Sequence, residues 1–242
     1  LKSVLGPIWH LKADVARKAL NRINLTLKHA AALGLEVDLQ ATMKVRALLG
    51  KQRHEATHIP SISYQDMPAF YSWLSERNSP AAIALRFLIL TGARTSEVRL
   101  ATSGEIEGDI WFLAAGRTKT GQENRIPLSR SALDLIAISK QTATLDSDEG
   151  QDLLFPSAKG KPLSDMAMAK LMKDNGYKER PHGFRSSFRT WMEEQTDASY
   201  EVKETAIGHK VGSDTVRAYQ RSDHLEKRRV IMEEWAIYLM GS

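Results

Sequence analysis

Apolar residues recur at helical spacing near the start of the chain: Ala16, Leu20, Ile23, Leu27 and Ala31 form one stripe. The stripe predicts a helix over 13–33, ended by Gly34 where a helix C-cap glycine belongs. A second, shorter helix is expected over 39–49. Residues 51–63 (KQRHEATHIPSIS) are polar, contain Pro60 and lack helical periodicity, and so read as a linker. Helices are then expected over 65–76 and 80–90, the second with Pro80 at its permitted first position and hydrophobic nearly all round, as a central core helix is. The period changes over 109–114 and 124–128, two strand-like runs flanking a Lys-Thr-Gly-Gln turn, which predicts a small β-hairpin or sheet edge. Helical patterning resumes over 130–140, 164–173, 182–194, 200–207, 214–219 and 224–239. The expected fold is mostly α, of the α+β class: a small helical domain, residues 1–58, followed by a larger domain, 59–242, of helices with a small antiparallel sheet.

The composition of the 242 residues, 42% hydrophobic and 26% charged, supports a buried core and excludes wholesale disorder. No apolar run approaches the roughly 18–20 residues that span a bilayer, so no membrane partner is expected and the cytoplasm is the expected location. The start at Leu1 is neither a signal peptide nor a methionine start, and the chain reads as a fragment. With no cysteine, a disulfide scaffold, a thiolate zinc site and a cysteine nucleophile are excluded. The net charge of +5 is unevenly placed: residues 1–58 hold ten Lys or Arg against four Asp or Glu, while the remainder is close to neutral. A basic helical module is the electrostatic footprint of a nucleic-acid partner, although a solvated helix surface has the same composition.

No acidic cluster suited to two metals, no phosphate-binding loop with its Lys and no His-Glu-x-x-His pair is present, so neither a metal nor another cofactor is expected. Arg94, in TGARTSEV, lies at a glycine-containing turn where a helix begins. Its guanidinium suits two phosphate oxygens, or equally a structural pairing with Glu97. Lys119 occupies the hairpin turn, where it reaches either a ligand or solvent. His182 and Arg185 share a helix face at i and i+3, a pair that can handle a proton and clamp an anion, or simply lie on the surface. His209 follows Ala206-Ile207-Gly208, and Tyr219 lies ten residues on, where a lone tyrosine is as readily core or interface as nucleophile.

Four segments in order, TGARTSEV, RTKTGQENRIPLS, HGFRSSFRTW and IGHKVGSDTVRAYQRSDHLEKRR, resemble the boxes of the tyrosine recombinase (phage integrase) family, and together they carry six expected catalytic positions. The tail AYQRSDHLEKRRVIMEEWAIYL is similar to integrases of satellite phages and genomic islands, and HIPSISYQDMPAF to the entry into their catalytic domain. The resemblance covers about residues 59–240 well and 1–58 more loosely. It implies that 1–58 is the C-terminal part of a helical core-binding, DNA-binding domain with its linker, and that 59–242 is the catalytic domain.

The resemblance further implies a site-specific recombinase that integrates or excises a mobile element through a 3′-phosphotyrosyl intermediate, with no metal and no cofactor. Tyr219 would be the nucleophile, Arg94 and Arg185 would stabilise the phosphorane, and His209 would donate a hydrogen bond to the same phosphate. His182 would manage the tyrosine proton, and Lys119 would protonate the leaving 5′-oxygen. Expected partners are double-stranded DNA attachment sites and a homotetramer formed on DNA from monomers, with a host DNA-bending factor and an excisionase as further candidates. The apolar strip Leu225, Ile231, Met232, Trp235 and Leu239 is expected to pack on a neighbouring protomer, or else on its own domain. Arg117, Arg125 and Lys210 flank the catalytic positions as phosphate contacts or solvated charges, and Glu97 reads as structural. Two alternatives use the same motifs: relaxation of DNA in the manner of a type IB topoisomerase, and a regulator that binds DNA without cutting.

Overall fold

The computed structural model describes residues 1–53, 60–142, 152–212 and 222–241. The expected helix over 214–219, and Tyr219 with it, lies outside the described residues, as do 54–59 of the linker. The chain divides into two compact units, Leu1–His58 and Ile59–Ser242.

The first unit is helical: α1 (Lys2–Leu5), α2 (Ala13–Ala32) and α3 (Ala41–Leu49) enclose a small core of Leu5, Trp9, Ala16, Leu20 and Val45. Helix α2 ends as the glycine predicts. Gly34 adopts φ +80°, and the N–H groups of Gly34 and Leu35 return to the carbonyls of Ala31 and Ala30, closing the last turn. Only the first half of the apolar stripe is deeply buried, at Ala16 and Leu20, while Ile23, Leu27 and Ala31 are half-buried. The reason is length: nine residues of α3 cannot cover twenty of α2. Gln52, in the expected linker, is tied into this unit by its side-chain amide, which donates to the carbonyls of Trp9 and Ala13.

The second unit is built around α5 (Pro80–Thr91), in which every residue from Ala82 to Thr91 is buried. Ser79 caps its start, Pro80 occupies the first turn, and Gly92 ends it in the left-handed conformation at φ +59°. Around it pack α4 (Met67–Ser75), α7 (Arg130–Thr142), α8 (Ala167–Asp174), α9 (Gly183–Gln195) and α11 (Leu225–Met240). The short helices α6 (Thr95–Arg99) and α10 (Tyr200–Ala206) complete the described helical set.

The expected hairpin is present as β2 (Ile110–Leu113) and β3 (Asn124–Pro127), paired antiparallel with Trp111 opposite Ile126 and Leu113 opposite Asn124. Trp111 and Leu113 face the core, while Ile110 and Phe112 are half-buried, the two-residue alternation of a strand with one packed face. A third strand, β1 (Ile106–Glu107), joins β2 through the turn at Gly108 and Asp109, so the sheet has the order β1-β2-β3. Two residues were too few to show an alternating pattern in the sequence.

The strip on the last helix is occupied within its own domain. Ile231, Met232, Trp235 and Leu239 are buried, Trp235 stacks on Phe188 and Tyr238, and its indole N–H donates to the Ile89 carbonyl at 2.9 Å. These side chains are core of their own domain, the second of the two packings that the sequence left open. No described helix is long and apolar enough to cross a membrane.

Candidate active site

Arg94 begins α6, and its place is set by Glu97 three residues on. The Glu97 carboxylate accepts from the Arg94 backbone N–H at 2.8 Å and from its guanidinium at 2.9 Å. Glu97 is 2% exposed, so this pair both ends the Gly92–Ala93 turn and answers a buried charge. The structural pairing weighed for Arg94 therefore exists, and it leaves the rest of the guanidinium free to reach elsewhere: Nη2 donates to the Gly208 carbonyl at 2.9 Å, across 114 residues of sequence.

Arg185 enters the same place from α9. It is 4% exposed and donates to the Gly92 carbonyl at 2.6 Å and to the Ile207 carbonyl. Its pKa falls to about 10, first because burial disfavours the charge and then because Arg94 is near. The turn at Gly92 cannot take a side chain: its φ is positive, and a Cβ there would lie 2.9 Å from Phe188 Cδ1. Gly183, which opens α9, is equally constrained, since a Cβ there would lie 2.6 Å from the Pro60 carbonyl oxygen. Close approach at Gly92 and Gly183 thus fixes the segments that carry the two arginines.

His209 follows α10. Its Nδ1 lies 2.7 Å from Glu204 Oε2, and its backbone N–H donates to the Glu204 carbonyl at 2.9 Å. His182 precedes α9 with an exposed edge. The protein packed around its ring, and after it the charges of Arg185, Arg94, Lys119 and His209, hold its pKa below the ordinary 6.5. Lys119 is exposed in the β2–β3 turn. Arg94 and His209 line an open cleft of about 640 Å3 together with Thr118, Asn124, Arg125, Gly208 and Asp223. Lys119 and His182 line a smaller hollow of about 330 Å3, which Arg94 also borders. Arg94 therefore stands between the two, and five of the six candidate residues come together around it. Among the described residues there is no group of three or more His, Asp or Glu side chains placed to hold a metal.

Of the flanking cations, Arg117 is held by Glu105 at 2.6 Å and by the Glu97 carbonyl at 3.0 Å, and Arg125 forks onto Asp223 at 2.8 and 2.9 Å. Both are ion-paired in this structure. Lys210 lines the larger cleft.

Two groups escaped the sequence reading. Glu204 joins His209 to Arg189, whose Nε donates to Oε1 at 2.7 Å. Arg228, fully buried on α11, donates to Asp223 at 3.2 Å and to the Asn124 side chain at 3.5 Å. Burial, partly offset by Asp223, lowers its pKa to about 10. The short separation of Glu204 and His209, five residues across the end of a helix, was the available signal for the first. For Arg228, an arginine in the charged run EKRR, sequence offers no signal that it points inward.

The chain is 30% identical to prophage integrase IntZ of Escherichia coli (strain K12) and 27% identical to the integrase of Enterobacteria phage P4, over 92% and 98% of its own length. The matches cover 55% and 58% of those proteins, so the chain spans about half the length of these curated relatives. Its fold is shared with a lambda integrase (75–356) dimer bound to a COC′ core site, at a TM-score of 0.63 and 18% identity over 88% of this chain and 78% of that one. A lambda integrase tetramer bound to a Holliday junction gives 0.63 at 17% identity over 88% and 63%. The model of the phage integrase family matches residues 61–226, from the entry into the second unit to the start of its last helix. That span holds all six candidate residues and more than half of the sequence, and the chain belongs to the phage integrase family.

Proposed function

We propose that the protein is a site-specific DNA recombinase that cuts and rejoins strands through a 3′-phosphotyrosyl intermediate, integrating or excising a mobile element. The observation that carries the reading is the convergence of Arg94 and Arg185 on the carbonyls of Gly92, Ile207 and Gly208, one residue before His209. Three segments distant in sequence thereby bring Arg94 and His209 to the lining of one open cleft, with the buried Arg185 guanidinium bonded to the Ile207 carbonyl two residues before His209, an arrangement suited to a phosphate that gains negative charge as it is attacked.

In this reading the Tyr219 oxygen attacks the scissile phosphorus, a P–O bond forms, and the bond to the 5′-oxygen breaks. The tyrosine proton passes to His182, whose lowered pKa keeps the ring neutral and able to accept it near pH 7. Lys119 supplies the proton that the leaving 5′-oxygen needs. Arg94, Arg185 and His209 hold the non-bridging oxygens. The 5′-hydroxyl of a partner strand then attacks the phosphotyrosine and restores the phosphodiester, so that no bond energy is lost and no cofactor enters. Ser222 and Asp223, three and four residues after Tyr219 in sequence, line the same cleft, which supports placing the attack there.

The partners that follow are duplex attachment sites and three further copies of the chain assembled on DNA, with residues 1–58 as the part of a core-binding domain that adds non-specific phosphate contacts. The solved lambda integrase assemblies, a dimer on a core site and a tetramer on a Holliday junction, support this arrangement.

The test is covalent adduct formation on supercoiled plasmid in the presence of chelator, resolved on a denaturing gel, for the wild-type chain and Tyr219→Phe. An adduct in the wild type alone is expected. An adduct with Tyr219→Phe, or firm DNA binding with no adduct in either, overturns the reading, and a two-site recombination assay alongside separates strand exchange from relaxation.

A further inference from the structure

Glu204, on α10, takes no part in the chemistry proposed above, yet its carboxylate is committed on both oxygens. Oε1 accepts from Arg189 Nε at 2.7 Å, and Oε2 meets His209 Nδ1 at 2.7 Å. The side chain is 14% exposed. Arg189 is itself anchored by Glu193 at 2.5 Å, and Glu193 also receives Lys203 at 3.3 Å, so a charged chain runs from α9 through α10 to the cleft. Main chain and side chain of Glu204 both hold His209, since the Glu204 carbonyl also accepts the His209 backbone N–H.

Building on the function proposed above, we propose that Glu204 is a positioning residue for His209, one that fixes a ring proton on Nδ1 and turns Nε2 toward the scissile phosphate. An ionised carboxylate accepts hydrogen bonds and donates none, so the nitrogen facing it carries the hydrogen. Burial would raise the carboxyl of Glu204, but the hydrogen bonds from Arg189 and His209 hold it below the usual carboxylate range, and it is ionised at neutral pH. With Nδ1–H committed, a neutral His209 would present a bare lone pair to a phosphate oxygen, acceptor against acceptor. In the complex with DNA, Nε2 donates to a phosphate oxygen once it too carries a hydrogen, and the carboxylate behind the ring compensates the added charge, the logic by which a buried carboxylate holds a catalytic histidine. Arg94, Arg185 and Lys210 near the cleft oppose that charge, and Glu204 is the carboxylate that touches the ring. His182 is set the other way: among the described residues no carboxylate bonds its ring, and its surroundings lower its pKa.

The experiment uses the whole chain with its seven histidines labelled with 15N, the His209 signals being identified by their loss in His209→Asn. At neutral pH the His209 ring is expected to show a protonated Nδ1 in the wild type and to relax in Glu204→Gln to the Nε2–H tautomer that free histidine favours. A wild-type ring with an unprotonated Nδ1 overturns the proposal whether or not the chain cuts DNA. Single-turnover adduct formation at saturating DNA is the second arm, with binding followed by gel shift. Glu204→Gln should slow the adduct step roughly ten-fold or more with little change in binding, and should slow it less than two-fold when His209 is already Ala, because the two act as a unit. An undiminished loss in the His209→Ala background would show a role unrelated to the ring. Failure of the wild type to form any adduct, with a correctly protonated ring, rejects the recombinase reading and, with it, the phosphate-directed half of this one.

Discussion

The Arg94 guanidinium donates to the Gly208 carbonyl at 2.9 Å, one residue before His209, and to the Glu97 carboxylate at 2.9 Å. One side chain thus ties the turn after α5 to the turn after α10. Arg94→Ala should cut both ties and leave a 2%-exposed carboxylate short of its cation, at a cost of about 2–4 kcal/mol. Arg94→Lys keeps the charge but not the fork, and should fall between. Urea denaturation with both variants measures this, and a loss under 0.5 kcal/mol for Arg94→Ala, roughly the noise of surface substitutions, would show that the pair holds nothing.

Gly92→Ala should destabilise by about 1–3 kcal/mol, since it combines a left-handed backbone with overpacking against Phe188. Arg185 loses an aligned acceptor if the turn shifts, so adduct formation should fall further than folding does. Denaturant midpoints and single-turnover rates on the same preparation separate the two effects.

Arg228 and Arg125 share Asp223 but not its environment: the first side chain is fully buried and the second 48% exposed. Asp223→Ala strands the buried guanidinium and should cost about 2–4 kcal/mol, less than a wholly buried pair because Asp223 is itself a third exposed. Arg125→Ala removes a screened surface pair worth about 1 kcal/mol or less. Equal losses in the two variants would contradict this ordering.

His182 has a folded-state pKa below its unfolded value near 6.5, so the unfolded chain binds its proton more readily. Stability contributed by this group is therefore complete above about pH 6.5 and is lost as the pH falls from there toward the lowered folded-state pKa. His182→Gln should flatten that part of the profile. Urea unfolding between pH 7.5 and 5.5 with both chains reads the difference, and parallel profiles would refute it.

Much of the fold was legible because it follows from local rules. The 12-residue α5 announced itself by Pro80, an all-round apolar pattern and Gly92, each of which the structure uses. The hairpin was legible from alternation at Trp111 and Leu113, whereas two-residue β1 was not, having no room for a period. The strip on α11 was read correctly as apolar, but amphipathic spacing says only that a face is covered, not by what. The site divides along the same line. Arg94 with Glu97, three residues apart, could be paired in sequence, while Arg185 with Gly92 and Arg94 with Gly208 are separated by 93 and 114 residues and meet only through the packing of α9 and α10. Arg228 could not be placed because its partners, Asn124 on β3 and Asp223 before α11, meet it only in the folded chain.

The hydrogen-bond partners of the Arg185 guanidinium among the described residues are carbonyl oxygens, not carboxylates. Neutral acceptors orient the group without cancelling its charge, and Glu97 and Glu204 offset its burial only in part, so the folded protein carries a desolvated cation that is incompletely compensated until an anion arrives. Folding and anion binding are then thermodynamically linked. Whatever free energy the buried guanidinium costs the empty molecule is available to discriminate in favour of a phosphodiester, and most of all a phosphorane with its extra negative charge. Inorganic phosphate or sulfate should therefore raise the melting temperature of the wild-type chain more than that of Arg185→Met. The charge of the arginine thus weighs on the resting fold while its hydrogen bonds to Gly92 and Ile207 hold the site together, and anion binding relieves the first without giving up the second.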